Sequence, residues 1–99
     1  MNEKDFVALS KKAIVEFYNS LAGVTDKKIT ENEVHTVWQC KALQNYKATF
    51  AIVEPDGRVT DRRYYEATYN GNKQEIYLDV YKKQKNIVVK VETGKTEVK

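Results

Sequence analysis

The stretch that decides the fold is Tyr64-Tyr65-Glu66-Ala67-Thr68-Tyr69-Asn70-Gly71, continued past Asn72-Lys73-Gln74 by Glu75-Ile76-Tyr77-Leu78-Asp79-Val80-Tyr81. Successive side chains of a strand point to opposite faces, so residues two apart share a side. On that count Tyr65, Ala67, Tyr69, Ile76, Leu78 and Val80 make one apolar face. Arg62, Tyr64, Glu66, Thr68, Glu75, Tyr77, Asp79 and Tyr81 make the other, polar but carrying three tyrosines. Asn70-Gly71 is a hairpin signal, with a loop that can extend through Lys73. A loop longer by two residues leaves the facing unchanged. The stretch therefore predicts a two-stranded unit with one side to bury.

The burying layer is upstream. Phe6, Leu9, Ala13, Phe17 and Leu21 recur at three- and four-residue steps, widened by Ile14 and Tyr18, which predicts an amphipathic helix over about 3–22. Asn2 suits its N-cap and Gly23 its close. Thr30-Glu31-Asn32-Glu33 matches a capping box. The branched and aromatic content of Val34, Thr36, Val37, Trp38 and Cys40 nevertheless favours a strand over about 34–43. Runs 46–53, 59–69, 75–82 and 87–91 follow, separated by Gln44-Asn45, Pro55-Asp56-Gly57, Asn70-Gly71 and Lys85-Asn86. The expected class is α+β, one helix on a four- to five-stranded antiparallel meander. Ninety-nine residues make a single domain, 1–99, with a tail expected to fray from about 92.

The first hairpin resists the same treatment. Val34, Trp38, Cys40, Ala51 and Val53 fall on one side, Val37, Leu43, Phe50 and Ile52 on the other, and both sides are apolar. The register across 54–63 is open, because a bulge exchanges faces. The excess apolar surface has three outlets: sheet curvature, the C-terminal strand, or another molecule.

Composition sets the outer bounds. The chain is 41% hydrophobic and 31% charged with net charge +3, which does not mark an obligate nucleic-acid binder. One cysteine, Cys40, forbids an internal disulfide, and no run reaches the ~20 apolar residues that span a bilayer. The opening Met-Asn-Glu-Lys-Asp lacks a signal-peptide layout. A cytoplasmic protein with no membrane partner is expected.

No catalytic residue, cofactor or metal site is assigned. His35 and Cys40 are an odd number of residues apart, so a regular strand sends them to opposite faces and disfavours a dyad. Glu31, Glu33 and His35 share a parity but have no further ligand, and read as solvated charges. Glu66 and Asp79 can face one another across the hairpin, but a cross-strand charge network explains them without catalysis. What remains is a binding surface: Arg62, Tyr64, Tyr77, Asp79, Tyr81, Lys82 and Lys83, with Trp38 as a second surface. Tyrosines among cations suit either a protein partner or single-stranded nucleic acid. Glu66, Glu75 and Asp79 on the same side repel phosphate, so a protein is favoured. Self-association as a homodimer is also expected, through the two apolar faces or an edge strand such as 87–91.

Three stretches carry a resemblance: Val37-Trp38-Gln39-Cys40-Lys41-Ala42-Leu43-Gln44-Asn45, Tyr64 to Gly71, and Tyr77-Leu78-Asp79-Val80-Tyr81-Lys82-Lys83. They resemble a family of small uncharacterised proteins encoded by tailed phages and prophages of Gram-positive bacteria. The resemblance runs over roughly residues 6–83 and includes Ala13-Ile14-Val15-Glu16-Phe17-Tyr18-Asn19. The segment from Val53 to Arg63 is longer than the family pattern, and the tail beyond Lys85 is outside it. The resemblance implies an accessory role in a bacterial host cell; that the role is non-enzymatic is expected from the surplus of apolar and tyrosine surface with no assembled catalytic set.

Overall fold

A computed structural model describes residues 1–21, 28–54, 56–57, 63–85, 87–91 and 96–98. Helix α1 spans Glu3–Ser20, and the Asn2 side chain caps it by accepting from the Asp5 amide at 2.8 Å. Its C-cap is Leu21, and Gly23 lies outside the described residues. A single 3-10 turn, Glu31–Glu33, leads into four strands: β1 (Val34–Ala42), β2 (Asn45–Ile52), β3 (Arg63–Asn70) and β4 (Glu75–Lys82). They form one antiparallel sheet in the order β1-β2-β3-β4, so the architecture is α+β with a helix on a meander. A fifth strand, β5 (Ile87–Val89), forms where the last run was expected but pairs with β6 (Thr96–Val98) in a separate two-stranded sheet.

Thr30 caps a single turn with its side chain. Its hydroxyl donates to the Glu33 carboxylate at 2.7 Å and accepts from the Asn32 amide at 3.4 Å, but the helix stops after one turn. The β-branched run that follows takes the chain into β1. Pairing resolves the two-faced first hairpin. Val34 opposes Ile52 and Thr36 opposes Phe50, then the register slips and Trp38 opposes Thr49. Val37 is the extra residue of a β-bulge. Val34 therefore goes to the core while Trp38 and Cys40 emerge on the far side, which splits the group that simple alternation kept together.

The core lies between α1 and the alternating residues of β2 and β3: Tyr46, Ala48, Phe50 and Ile52 with Tyr65, Ala67 and Tyr69. Phe6 stacks on Tyr46 at 5.5 Å between ring centres, and Phe17 meets Tyr65 edge-on at 6.2 Å. On β4, Ile76 and Leu78 join the same side half-buried. The helix presents Phe6, Ser10 and Ile14 to the sheet, with Leu9 exposed, a correction to the expected stripe. The chain then returns to the core at Ile29. The Asn19 side chain clamps that residue, accepting from its amide at 2.9 Å and donating to its carbonyl at 3.0 Å.

Candidate binding face of the sheet

The sheet face away from α1 carries the candidate site. Because the bulge re-phases β1, one row across all four strands reads Trp38, Thr49, Glu66, Asp79, and the row beside it reads Cys40, Lys47, Thr68, Tyr77. Tyr64 opposes Tyr81, and their rings stack at 5.3 Å with 22° between planes. Trp38 is 51% exposed, Tyr64 48%, and Tyr77 and Tyr81 41% each. None of the described elements covers them.

The charges on this face are organised around acids. Lys47 reaches Glu66 at 3.2 Å, and Asp79 stands directly opposite Glu66. The Tyr77 hydroxyl donates to Glu75 at 2.7 Å. That hydrogen bond, reinforced by desolvation and by the Glu75 charge, raises the Tyr77 pKa above its ordinary value. The Tyr81 pKa is raised too, first by the charge of Asp79, then by that of Glu66. Both phenols thus sit in a negative field.

Of the residues proposed from sequence, Tyr64, Tyr77, Asp79 and Tyr81 share this face. Trp38 joins them on the same surface, so the two proposed surfaces are one. Arg62 lies outside the described residues. Lys82 opposes Arg63 and alternates to the helix side, and Lys83 lies beyond the end of β4. Sequence reading missed Lys47, the base that pairs with Glu66. The signal was present, because Tyr46, Ala48, Phe50 and Ile52 alternate and send Lys47 outward.

The bulge also corrects the argument about His35 and Cys40. They share the outer face, opposite Ala51 and Lys47, despite their odd separation. Those partners stand four positions apart on β2, about 13 Å along a strand, with Trp38 between, so the pair is out of hydrogen-bonding reach. Among the described residues no three His, Cys, Asp or Glu side chains cluster as metal ligands. No helix of the described residues is long and apolar enough to cross a membrane.

With this geometry fixed, comparison with protein families gives a match over residues 7–91 to the family of unknown function DUF6275. The chain belongs to the DUF6275 family. The DUF6275 match takes in α1 from Val7, the bulged first strand and all of the tyrosine face, so both sheet faces are part of the family domain. No curated protein and no solved structure gives a match.

Proposed function

We propose that this chain is a non-enzymatic binding protein whose protein partner docks on the outer face of the sheet, through Trp38, Tyr64, Tyr77 and Tyr81. The observation that carries this reading is the uncovered group of four large aromatic side chains opposite the helix. Tyr and Trp dominate interface hot spots because they bring large contact area at a small entropic cost. The stacked Tyr64 and Tyr81 rings reduce that cost further, since each limits the rotamers of the other.

The charges specify the partner. Glu66, Glu75 and Asp79 surround the tyrosines, so the face fits a segment that presents Lys or Arg, with cations seated over the rings and beside the carboxylates. The same acids oppose a phosphate backbone, which makes nucleic acid the competing occupant to exclude. The resemblance of residues 37–45, 64–71 and 77–83 to phage and prophage proteins supports an accessory role inside a bacterial host cell, in its cytoplasm.

Affinity capture from a bacterial lysate, with and without nuclease, tests the reading against Tyr81→Ala and Asp79→Asn. The expected result is a basic protein retained after nuclease treatment by the unaltered chain and lost with either variant. Capture that vanishes with nuclease, or that survives Tyr81→Ala undiminished, overturns it.

A further inference from the structure

The sheet has two outer strands, and they are unequally protected. An outer strand shows a row of backbone N–H and C=O groups that can accept another strand, and proteins blunt such edges with bulges, prolines or inward charges. β1 is blunted: the bulge at Val37 breaks its line, and Lys41 points to the helix side, 5.5 Å from the Tyr46 ring centre. β4 is not. It pairs with β3 over its whole length without a register shift, and contains neither Pro nor Gly. Its helix side is the apolar row Ile76, Leu78, Val80, which α1 covers incompletely: Ile76 and Leu78 are half-buried, and Val80 is 37% exposed. Among the described residues β4 has no second neighbour.

We infer that a second copy of this chain occupies this edge, β4 pairing antiparallel with its counterpart about a two-fold axis perpendicular to the sheet. Such an axis requires the numbers of opposed residues to add to a constant even sum, because the helix sides of the two copies must match. Charge then selects the register. Centring on Asp79 opposes two carboxylates, and centring on Tyr77 opposes Glu75 to the second copy's Asp79; like charges so placed are destabilising. Centring on Val80 avoids that clash but sets Lys82 against Leu78, and carries Tyr77 and Glu75 past the end of β4 to Lys83 and Lys85.

Centring on Leu78 satisfies both sides of the sheet. Tyr77 then opposes Asp79, and Glu75 opposes Tyr81, so phenols meet carboxylates. On the helix side Ile76 opposes Val80, and the two apolar rows close into one patch. The product is a continuous eight-stranded sheet with both helices on one side and the two tyrosine faces adjoining on the other.

This pairing shares Tyr77, Asp79 and Tyr81 with the proposed partner site, and Val80, on the opposite side of the sheet, is the residue that separates the two: Val80→Lys should break the dimer and leave partner capture intact. Sedimentation of the full chain at rising concentration, with Tyr77→Glu, Tyr77→Lys and Val80→Lys, tests it, with circular dichroism to establish that each variant is folded. The unaltered chain should shift from one-chain to two-chain mass across the micromolar range. Tyr77→Glu and Val80→Lys should remain at one-chain mass. Tyr77→Lys should dimerise at lower concentration, because its ammonium stands opposite Asp79. A chain that stays monomeric at the highest concentration overturns the inference, as does a dimer indifferent to Tyr77→Glu. The reverse order, Tyr77→Glu strengthening and Tyr77→Lys weakening, overturns it in favour of the Val80 register. Should Val80→Lys fail to fold, the two Tyr77 variants decide alone.

Discussion

Two single residues carry sharp consequences. Tyr77 donates to Glu75, and Tyr81 lies beside Asp79 with Glu66 near, so both phenols hold their protons above the ordinary value of 10.0. The raised folded-state pKa favours the neutral ring. Whatever stability that provides is complete below the unfolded value and is lost as pH climbs through the folded one. In a phenolate absorbance titration, Glu75→Gln should bring Tyr77 back toward the ordinary value and leave Tyr81 nearly unmoved. Ser10 is the second case. It is fully buried against the sheet, and its hydroxyl has no partner among the described residues. An unmade buried hydrogen bond is costly, so Ser10→Ala should gain about 1 kcal/mol in urea unfolding. The sequence did not disclose Ser10 for a physical reason. Leu9 and Ser10 are neighbours about 100° apart around the helix, and the inward one is chosen by how α1 sits on the sheet, not by which is more apolar.

At the scale of elements, the turns show why composition is a partial guide. Gly57 does what its residue type suggests: its φ is +89°, and its amide donates to the Glu54 carbonyl at 2.8 Å. Gly71 serves another purpose. The loop after β3 runs four residues, Asn70 pairing with Glu75, and the Asn70 side chain accepts from the amides of Asn72 and Lys73. The left-handed residue there is Gln74, at φ 54°. Gly71 is small because the β1–β2 turn presses on it: an added Cβ stands 2.8 Å from the Gln44 carbonyl oxygen. Gly71→Ala should therefore destabilise by about 1–3 kcal/mol, while Leu43→Gly should stabilise by up to about 1 kcal/mol. Leu43 is 91% exposed and has φ 56°, so it loses strain and almost no burial. Thermal melts of the two variants check both signs. The strands β3 and β4 were legible because alternation is local. The fate of Trp38 was not, because a bulge is defined by counting residues on a partner strand that one segment does not contain.

Over the whole molecule, the two sides of one thin sheet divide the labour. The helix side holds the fold: Phe50 and Tyr65 are fully buried there, and Phe50→Ala should cost about 3–5 kcal/mol. The outer side is free of that duty. Tyr81→Ala should leave the melting temperature close to that of the unaltered chain while abolishing partner capture. A collapse in melting temperature would mean that the tyrosine stack is structural. The division also explains the surplus of apolar surface in the first hairpin, since Val34, Phe50 and Ile52 go to the core and Trp38 to the outer face. Among the described residues, β5 does not supply the missing cover. β5 pairs with β6, and Ile87 and Val89 remain exposed.

Val37 has a consequence for how the chain can change length. It is the one residue of β1 without a partner in the ladder, between Thr36 opposite Phe50 and Trp38 opposite Thr49. Deleting a residue elsewhere in the sheet inverts every side chain between the gap and the next turn. Deleting Val37 leaves every ladder partner of β1 where it is and removes only the kink. The strand thus has a spare place in its reading frame, where the domain can lose a residue and keep both its core and its outer face.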